Sequence, residues 1–396
     1  MYDLAVVGQG YVGLPLAIES SQVGLKVIGI DIDLDVVRNL NRGISHIEDV
    51  SDNALKIVLE KNKFSASNDY SLLRQARIIA VCVPTPLDQD RNPDLTFINN
   101  AIKNVADNLQ SGALVVIEST IEPGFTRNQA YPLLSKGGSS KTSFKLAYSP
   151  ERIDPRNKRW NLKNTPKLVA GLTPEALAEA KNFYSKFVKE IHSCESLEVA
   201  ETAKLLENTF RLVNISFINE FSEFCTKLDV NIKEVINAAS TKPYGYLPFY
   251  PSPGAGGHCI PVDPIYLLNK ARNIGAPTQF IKLADEVNLR RPYYLATQVE
   301  NYLETLLEKR ILVIGVSYKP DVADTRETPV SSLITALRDK GAYVDWHDEL
   351  VKKWNGETSS EITDNYDLAV LATKHSNLNL ENLKNTPVLT SYGSIL

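Results

Sequence analysis

The turn Gly8-Gln9-Gly10-Tyr11-Val12-Gly13 constrains this chain more than any other stretch. It follows an apolar run at residues 3–7 and precedes a helical stretch through Leu14, Ala17 and Ile18. A strand, a Gly-x-Gly-x-x-Gly turn and a helix in that order open a dinucleotide-binding βαβ unit. Gly8 permits the tight turn, Gly10 lets the backbone approach a pyrophosphate, and Gly13 allows the helix to pack closely on the strand. The next strand, residues 26–31, ends on Asp31, whose carboxylate can accept hydrogen bonds from an adenosine ribose. The same charge repels a 2′-phosphate, so the pattern favours NAD over NADP. A turn that merely reverses the chain needs neither this spacing nor Asp31.

Apolar strand candidates continue at residues 77–83, 113–118, 145–148 and 167–170. Strands alternating with helices over so long a stretch predict a doubly wound parallel sheet. Residues 196–228 lack turn signals and carry Ala200, Leu205, Phe210, Val213, Ile218 and Phe221 at helical spacing, which predicts one long helix. A glycine- and proline-rich loop at 241–264 breaks the helical region, and helices resume through 283–307. Residues 310–315 repeat the strand-then-glycine pattern, with further strands at 343–346 and 367–371. The expected α/β architecture is two Rossmann-like doubly wound domains joined by a central helical domain with a long helix. Residues 1–193 form the NAD-binding domain, 194–300 the central one with the cysteine loop, and 301–396 a domain for a second nucleotide-like ligand.

Bulk properties exclude several classes of function. The 396 residues exceed one ordinary core, and 43% apolar with 23% charged residues is a globular composition. A formal charge of −4 gives no sign of a nucleic-acid binder. No apolar run reaches the ~20 residues that a membrane span requires. The first strand begins almost at Met1, which argues against a signal peptide. Cys82, Cys194, Cys225 and Cys259 are widely scattered with no C-x-x-C pair. Neither a metal site nor a disulfide framework is expected, and a reducing cytoplasm is.

Chemistry concentrates in Gly254-Ala255-Gly256-Gly257-His258-Cys259, with Asp263 four residues further on. A lone cysteine is more often a small buried hydrophobe than a nucleophile. Here the preceding glycines leave the backbone open to a ligand, while His258 and Asp263 bring ionisable groups close. Asp263 precedes a proline, so it can equally cap the next helix. Lys204 and Asn208 share one face of the long helix; they are either oxyanion donors or a solvated surface pair. Glu151 and Arg152 lie just past a strand's C-terminal end, where such sheets bind ligands, or else form a salt-bridged loop.

Taken in order, these motifs resemble the UDP-glucose/GDP-mannose dehydrogenase family across nearly the whole chain. They are the fingerprint, Ser149-Pro150-Glu151-Arg152, Glu201-Thr202-Ala203-Lys204 with Asn208, Gly256-Gly257-His258-Cys259 with Asp263, and Gly315-Val316-Ser317-Tyr318-Lys319-Pro320-Asp321 through Asp324-Thr325-Arg326-Glu327. Within the family, Cys82-Val83-Pro84-Thr85-Pro86-Leu87 and the loop from Thr241 to Pro251 look most like the UDP-N-acetylglucosamine 6-dehydrogenases.

The resemblance implies oxidation of a C6 alcohol to the acid with two NAD+ in succession. Lys204 and an Asp263-held water take the first proton. Cys259 then attacks the aldehyde, a second oxidation gives a thioester, and Glu151 positions or activates the water that hydrolyses it. Lys204 and Asn208 stabilise the oxyanion, and Thr120 lies near the nicotinamide and that water. Tyr11, Val12, Pro84, Thr85 and Arg326 are implied cofactor contacts; Arg152, Tyr250, Gly256 and Lys319 are implied sugar-nucleotide contacts. A homodimer or higher homo-oligomer through the long helix is also implied.

Three departures from the family pattern stand out. Val36 replaces a lysine common after the ribose-binding Asp, removing one adenosine contact. Tyr244 and Tyr250 occupy a loop where UDP-glucose enzymes carry an arginine. A late Asp-x-Arg near the UDP is replaced by Leu389-Thr390-Ser391-Tyr392-Gly393. Rival readings are UDP-glucose or the manno and galacto N-acetyl substrates, a two-electron hydroxyacid dehydrogenase, and a sugar-nucleotide binder without catalysis. The hydroxyacid reading leaves Cys259 without a task.

Overall fold

A computed structural model describes residues 1–137, 143–154, 156–157 and 159–395. It divides into two compact units, Met1–Leu206 with Ile265–Lys270, and Glu207–Pro264 with Ala271–Leu396. The dividing point falls inside one continuous helix.

The first unit is built on eight strands: β1 (Tyr2–Val7), β2 (Val27–Ile30), β3 (Phe64–Ser67), β4 (Ala76–Val81), β5 (Leu114–Ile117), β6 (Lys145–Tyr148), β7 (Lys167–Gly171) and β8 (Ile191–Ser193). Their order in the sheet is β3-β2-β1-β4-β5-β6-β7-β8. Helices α1 (Gly13–Gln22), α2 (Leu34–Asn41), α3 (Asp52–Glu60), α4 (Thr96–Asp107), α5 (Tyr131–Lys136) and α6 (Pro174–Tyr184) connect them. Leu4 and Val6 of β1 join one apolar cluster while Ala5 and Val7 join another, because successive side chains leave a strand on opposite faces. Both faces are covered, which is why β1 reads as an unbroken apolar run. The order reverses at β1, between β2 and β4. That switch point is where open α/β sheets bind ligands, and the Gly8–Gly13 turn leaves β1 there.

The doubly wound, largely parallel sheet is as expected, with one antiparallel pair in it. β7 runs antiparallel to β6, with Tyr148 opposite Ala170, while β8 is again parallel to β7. No helix intervenes between β6 and β7 among the described residues, and a parallel return needs such a crossover. β3 and β8 are short, and their apolar pattern does not distinguish them from loop.

The long helix α7 spans Leu197–Lys227, followed by α8 (Ile232–Ala239), α9 (Asp263–Ile274) and α10 (Gln279–Leu303). The second unit then closes on β9 (Arg310–Ile314), α11 (Val330–Asp339), β10 (Tyr343–His347), a short hairpin β11 (Lys353–Trp354) and β12 (Glu357–Thr358), β13 (Leu368–Leu371) and β14 (Val388–Thr390). Four of these make a parallel sheet in the order β10-β9-β13-β14, covered on one face by Leu295, Val299, Leu333 and Leu337, which cluster with Trp346 of β10. No helix among the described residues is long and apolar enough to cross a membrane.

Candidate active site

The fingerprint turn is shaped by its packing. A Cβ on Gly13 would stand 1.9 Å from the Gly8 carbonyl oxygen, so only glycine lets α1 sit this close to β1. Gly10 differs: no heavy atom lies within 4 Å of the place its Cβ would take. The protein's own packing does not require glycine there, whereas a ligand laid against the backbone would. Asp31 follows β2, half-buried, and its Oδ2 accepts the Gln9 N–H at 2.8 Å. That bond fixes the carboxylate beside the turn and leaves further acceptor capacity on both oxygens. Past β4 and β5, Ser119 Oγ donates to the Val83 carbonyl at 2.7 Å, tying the segment that carries Thr120 to that of Pro84 and Thr85.

Glu151, half-buried past β6, belongs to a buried ionic cluster. Lys167 Nζ lies 3.2 Å from Glu151 Oε2 and 2.8 Å from Glu118 Oε2, with Tyr184 donating to Glu118 Oε1 at 2.5 Å. The backbone N–H groups of Arg152 and Ile153 donate to Glu151 Oε1 at 2.6 and 2.8 Å. Burial alone would raise the Glu151 pKa, but the Lys167 charge and those N–H donors outweigh it and hold it below the usual range. For Glu118 burial wins and its pKa is raised. The salt-bridged loop weighed from sequence is therefore present, and it encloses the candidate carboxylate. Lys167 and Glu118 were not singled out; the signal was a charged residue at the start of one apolar strand and just past the end of another. Arg152 Nη1 donates to the Pro166 carbonyl at 2.6 Å, bracing the same loop.

On α7, Lys204 is buried and Asn208 half-buried, so the solvated surface pair is not what forms. Glu201, one turn before Lys204's successor, instead accepts the N–H groups of Gly124 and Thr126 at 2.5 and 3.0 Å. In the second unit Asn208 Nδ2 donates to Asp263 Oδ2 at 2.5 Å. Asp263 is buried as the first residue of α9 rather than its N-cap, which is Val262. The Cys259 carbonyl accepts the N–H of Asp263 at 2.8 Å, so α9 starts directly from the cysteine.

Cys259 is half-buried, whereas Cys82, Cys194 and Cys225 are buried and their thiols are pushed up by burial. The glycines ahead of it have a different reason from the one expected. A Cβ on Gly256 would meet Pro329 Cδ and Tyr318 Cβ at 2.8 Å, and Gly257 has φ +80 with Tyr318 at 2.9 Å. They let the loop pack inside its own unit, so the protein's own packing already requires glycine at both positions. Polar residues on the flanking helices then hold the loop, a role not read from the sequence. Asn288 brackets Ala255, accepting its N–H at 2.6 Å and donating to its carbonyl at 3.3 Å. Asn219 accepts the Ser252 N–H at 2.9 Å, and the fully buried Arg291 donates to the Ser252 carbonyl at 3.2 Å.

Lys319 is half-buried, and Tyr250 and Tyr244 are exposed. Arg326 forks onto Asp324, with Nη2 at 2.6 Å and Nε at 2.9 Å. Tyr392, in the stretch replacing the late Asp-x-Arg, packs with Phe221, Val235 and Phe249 against the cluster of Ile218, Cys225, Ile232 and Ile236. Among the described residues no group of three or more His, Cys, Asp or Glu is placed to hold a metal ion.

Comparison with known proteins gives the same order of parts. Residues 2–188 match the NAD binding domain of the UDP-glucose/GDP-mannose dehydrogenase family, 198–290 its central domain and 312–391 its UDP binding domain. The chain is 35% identical to a UDP-N-acetyl-D-mannosamine dehydrogenase of Pyrococcus horikoshii, covering 94% of this chain and 89% of that protein. It is 34% identical to a UDP-N-acetyl-D-glucosamine 6-dehydrogenase of Pseudomonas aeruginosa, covering 97% and 94%. A solved structure of UDP-D-ManNAc dehydrogenase from Pyrococcus horikoshii superimposes with a TM-score of 0.89 at 33% identity, over 98% of this chain and 94% of that one. With all three family domains in sequence and an NAD-binding first domain, this chain is a nucleotide-sugar dehydrogenase of the UDP-glucose/GDP-mannose dehydrogenase family.

Proposed function

We propose that the protein oxidises the C6 alcohol of UDP-N-acetylglucosamine to the uronic acid in two NAD-dependent steps through a covalent Cys259 intermediate. The observation that carries this reading is that Cys259 is only half-buried when the other cysteines are buried, together with its place at the head of α9 beside the Asn208–Asp263 bond. A half-buried thiol at this place gives the second oxidation its nucleophile, which a two-electron dehydrogenase does not need.

The residues around the first turn suit NAD: open space over Gly10, and an Asp31 carboxylate with acceptor capacity left. Gly8, Gly10, Tyr11, Val12, Gly13 and Asp31 would hold its pyrophosphate and ribose, with Pro84, Thr85, Thr120 and Arg326 as further contacts. Bound NAD supplies the hydride acceptor for each oxidation. In the first, Lys204 and a water held by Asp263 receive the hydroxyl proton. Cys259 then bonds to the aldehyde carbon as thiolate, a cationic Lys204 stabilising both thiolate and oxyanion with Asn208. The thiohemiacetal so formed gives up the second hydride to become a thioester, which water ordered by Glu151 finally cleaves. Arg152, Tyr250, Gly256 and Lys319 are assigned to the sugar nucleotide.

The domain assignment follows the same reading: 1–193 for NAD, 194–300 for the cysteine loop and subunit contact, 301–396 for UDP. Exposed Phe210, Phe217, Phe224 and Leu228 recur along and just past α7 at near-heptad spacing, which supports a homodimer through that helix. We place the reaction in the cytoplasm, where the thiol stays reduced. The manno epimer is the second reading, since the relative from Pyrococcus horikoshii bears that name. Turnover with each UDP-N-acetylhexosamine decides between them; a kcat/KM higher for the manno than the gluco substrate would replace the first reading by the second.

A further inference from the structure

The antiparallel return of β7 has a chemical result. In a parallel strand the first residue lies at the far end of the sheet from the ligand edge. Because β7 runs against β6, its first residue, Lys167, lies just past the C-terminal end of β6, where Ser149 Oγ also donates to the Leu168 carbonyl at 2.8 Å. The Lys167 side chain is only 3% exposed, and that of Glu118 is fully buried. A lysine this deep is placed to neutralise what surrounds it. What surrounds it is two carboxylates, the Pro150 carbonyl at 3.5 Å and the Tyr184 ring, 5.2 Å from ammonium to centroid.

The acceptor sites of Glu151 are nearly used. Oε1 takes two backbone N–H groups, and Oε2 takes the ammonium with one acceptor position left. A carboxylate so fully donated to is a poor proton store but a well-oriented acceptor.

We propose that Lys167 is a positioning residue for thioester hydrolysis: shared between Glu118 and Glu151, its ammonium keeps Glu151 an ionised, fixed acceptor that orders the attacking water. The proposal rests on the assignment of Glu151 to that water. In the step, the water oxygen bonds to the acyl carbon and the C–S bond breaks, its electron pair leaving on Cys259 sulfur. Both water protons pass to solvent when product acid and thiol end ionised, and no oxidant is consumed. The ionisable groups about Glu151 are Lys167 from β7, Glu118 past β5, Tyr184 from α6, Cys82 past β4 and its chain neighbour Arg152.

The test is Lys167→Met, read by three measurements with UDP-N-acetylglucosamine and NAD+. Intact mass should show an acylated enzyme accumulating, while the pre-steady-state NADH burst is unchanged. Steady-state kcat should fall about 10- to 100-fold, as expected for a misplaced reactant. The acidic limb of kcat should move up by about one pH unit, because a Glu151 without its cation protonates more easily. Lys167→Arg should keep the limb in place. A folded K167M enzyme with no acyl adduct and an unmoved limb overturns the proposal. If K167M does not fold, K167M/E118L, which orphans no carboxylate at position 118, is read by the same criteria. Glu151→Gln separates the two ideas: it should accumulate the adduct too, and normal hydrolysis in that variant would refute the Glu151 assignment itself.

Discussion

Two carboxylates occupy the same place in two similar folds and have opposite fates. Asp31 follows β2, beside the glycine turn after β1; Asp348 follows β10, beside the glycine turn after β9. Each accepts from the turn next to it, Asp31 from Gln9 N–H and Asp348 from Val316 N–H, both at 2.8 Å. Each also accepts the N–H two residues on, Asp31 from Asp33 at 3.0 Å and Asp348 from Leu350 at 2.9 Å, and there the likeness ends. Asp31 is half-buried with acceptor capacity remaining. Asp348 is buried, and besides Val316 it takes Ser317 N–H and Oγ, the N–H groups of Leu350 and Val351, and His375 Nε2 at 3.1 Å. His375 Nδ1 accepts the Asp321 N–H at 2.9 Å, so the ring carries its proton on Nε2 and donates to Asp348. The first turn keeps its carboxylate available for a ligand; the second uses it as a structural clasp. A strand-glycine-carboxylate pattern therefore predicts the fold of both halves, but chemistry only where acceptor sites remain open.

Substitutions should separate the two. The largest effect is expected from Asp348→Ala, which leaves a buried imidazole and several N–H groups without their acceptor. A loss of about 3–5 kcal/mol in urea-induced unfolding is expected. Asp31→Ala should do the reverse, weakening NAD about 10- to 100-fold by titration, as loss of a charged hydrogen-bond acceptor does. Its unliganded melting temperature should stay within a few degrees of the parent's. If Asp31→Ala unfolds the protein and leaves NAD affinity unchanged, the contrast is gone.

Acid should sharpen the difference. Burial would raise the Asp348 pKa, but the His375 bond and the N–H donors of Leu350 and Val351 outweigh it and hold it far below the usual range. A depressed carboxylate contributes stability that is present above its unfolded pKa, about 3.9, and is lost as pH falls through the folded value. Below about pH 4 the parent should lose stability more steeply than Asp348→Asn, measured by urea midpoints across pH. Equal slopes would mean that the clasp is not ionised. The smallest effect is in cofactor choice. Asp31→Ala should raise the NADP-to-NAD ratio of kcat/KM by about tenfold through lost repulsion of a 2′-phosphate.

How much of this the residues disclose depends on whether a feature is local. The β1 turn was legible because strand, glycine spacing and Asp31 sit within one βαβ unit. So was α7, whose apolar rhythm runs from Ala200 to Phe221 uninterrupted. The direction of β7 was not, since an apolar run looks alike both ways, and Lys167 beside Glu151 depends on it. The glycines before Cys259 read as backbone left open to a ligand, whereas Tyr318 and Pro329, whose packing requires them, lie some 60 to 70 positions away. Asn219, Asn288 and Arg291 were hidden for a like reason: each is one polar residue in a helix, and its partner is a distant backbone group.

The proposed chemistry turns on whether one site carries out two oxidations. The direct measurement gives the enzyme limiting UDP-N-acetylglucosamine with excess NAD+ and counts NADH at completion, beside a Cys259→Ala variant. Two equivalents of NADH per sugar, lost in the variant while NAD still binds, are the predicted result. One equivalent, or a variant that makes the acid at the parental rate, would contradict the Cys259 mechanism.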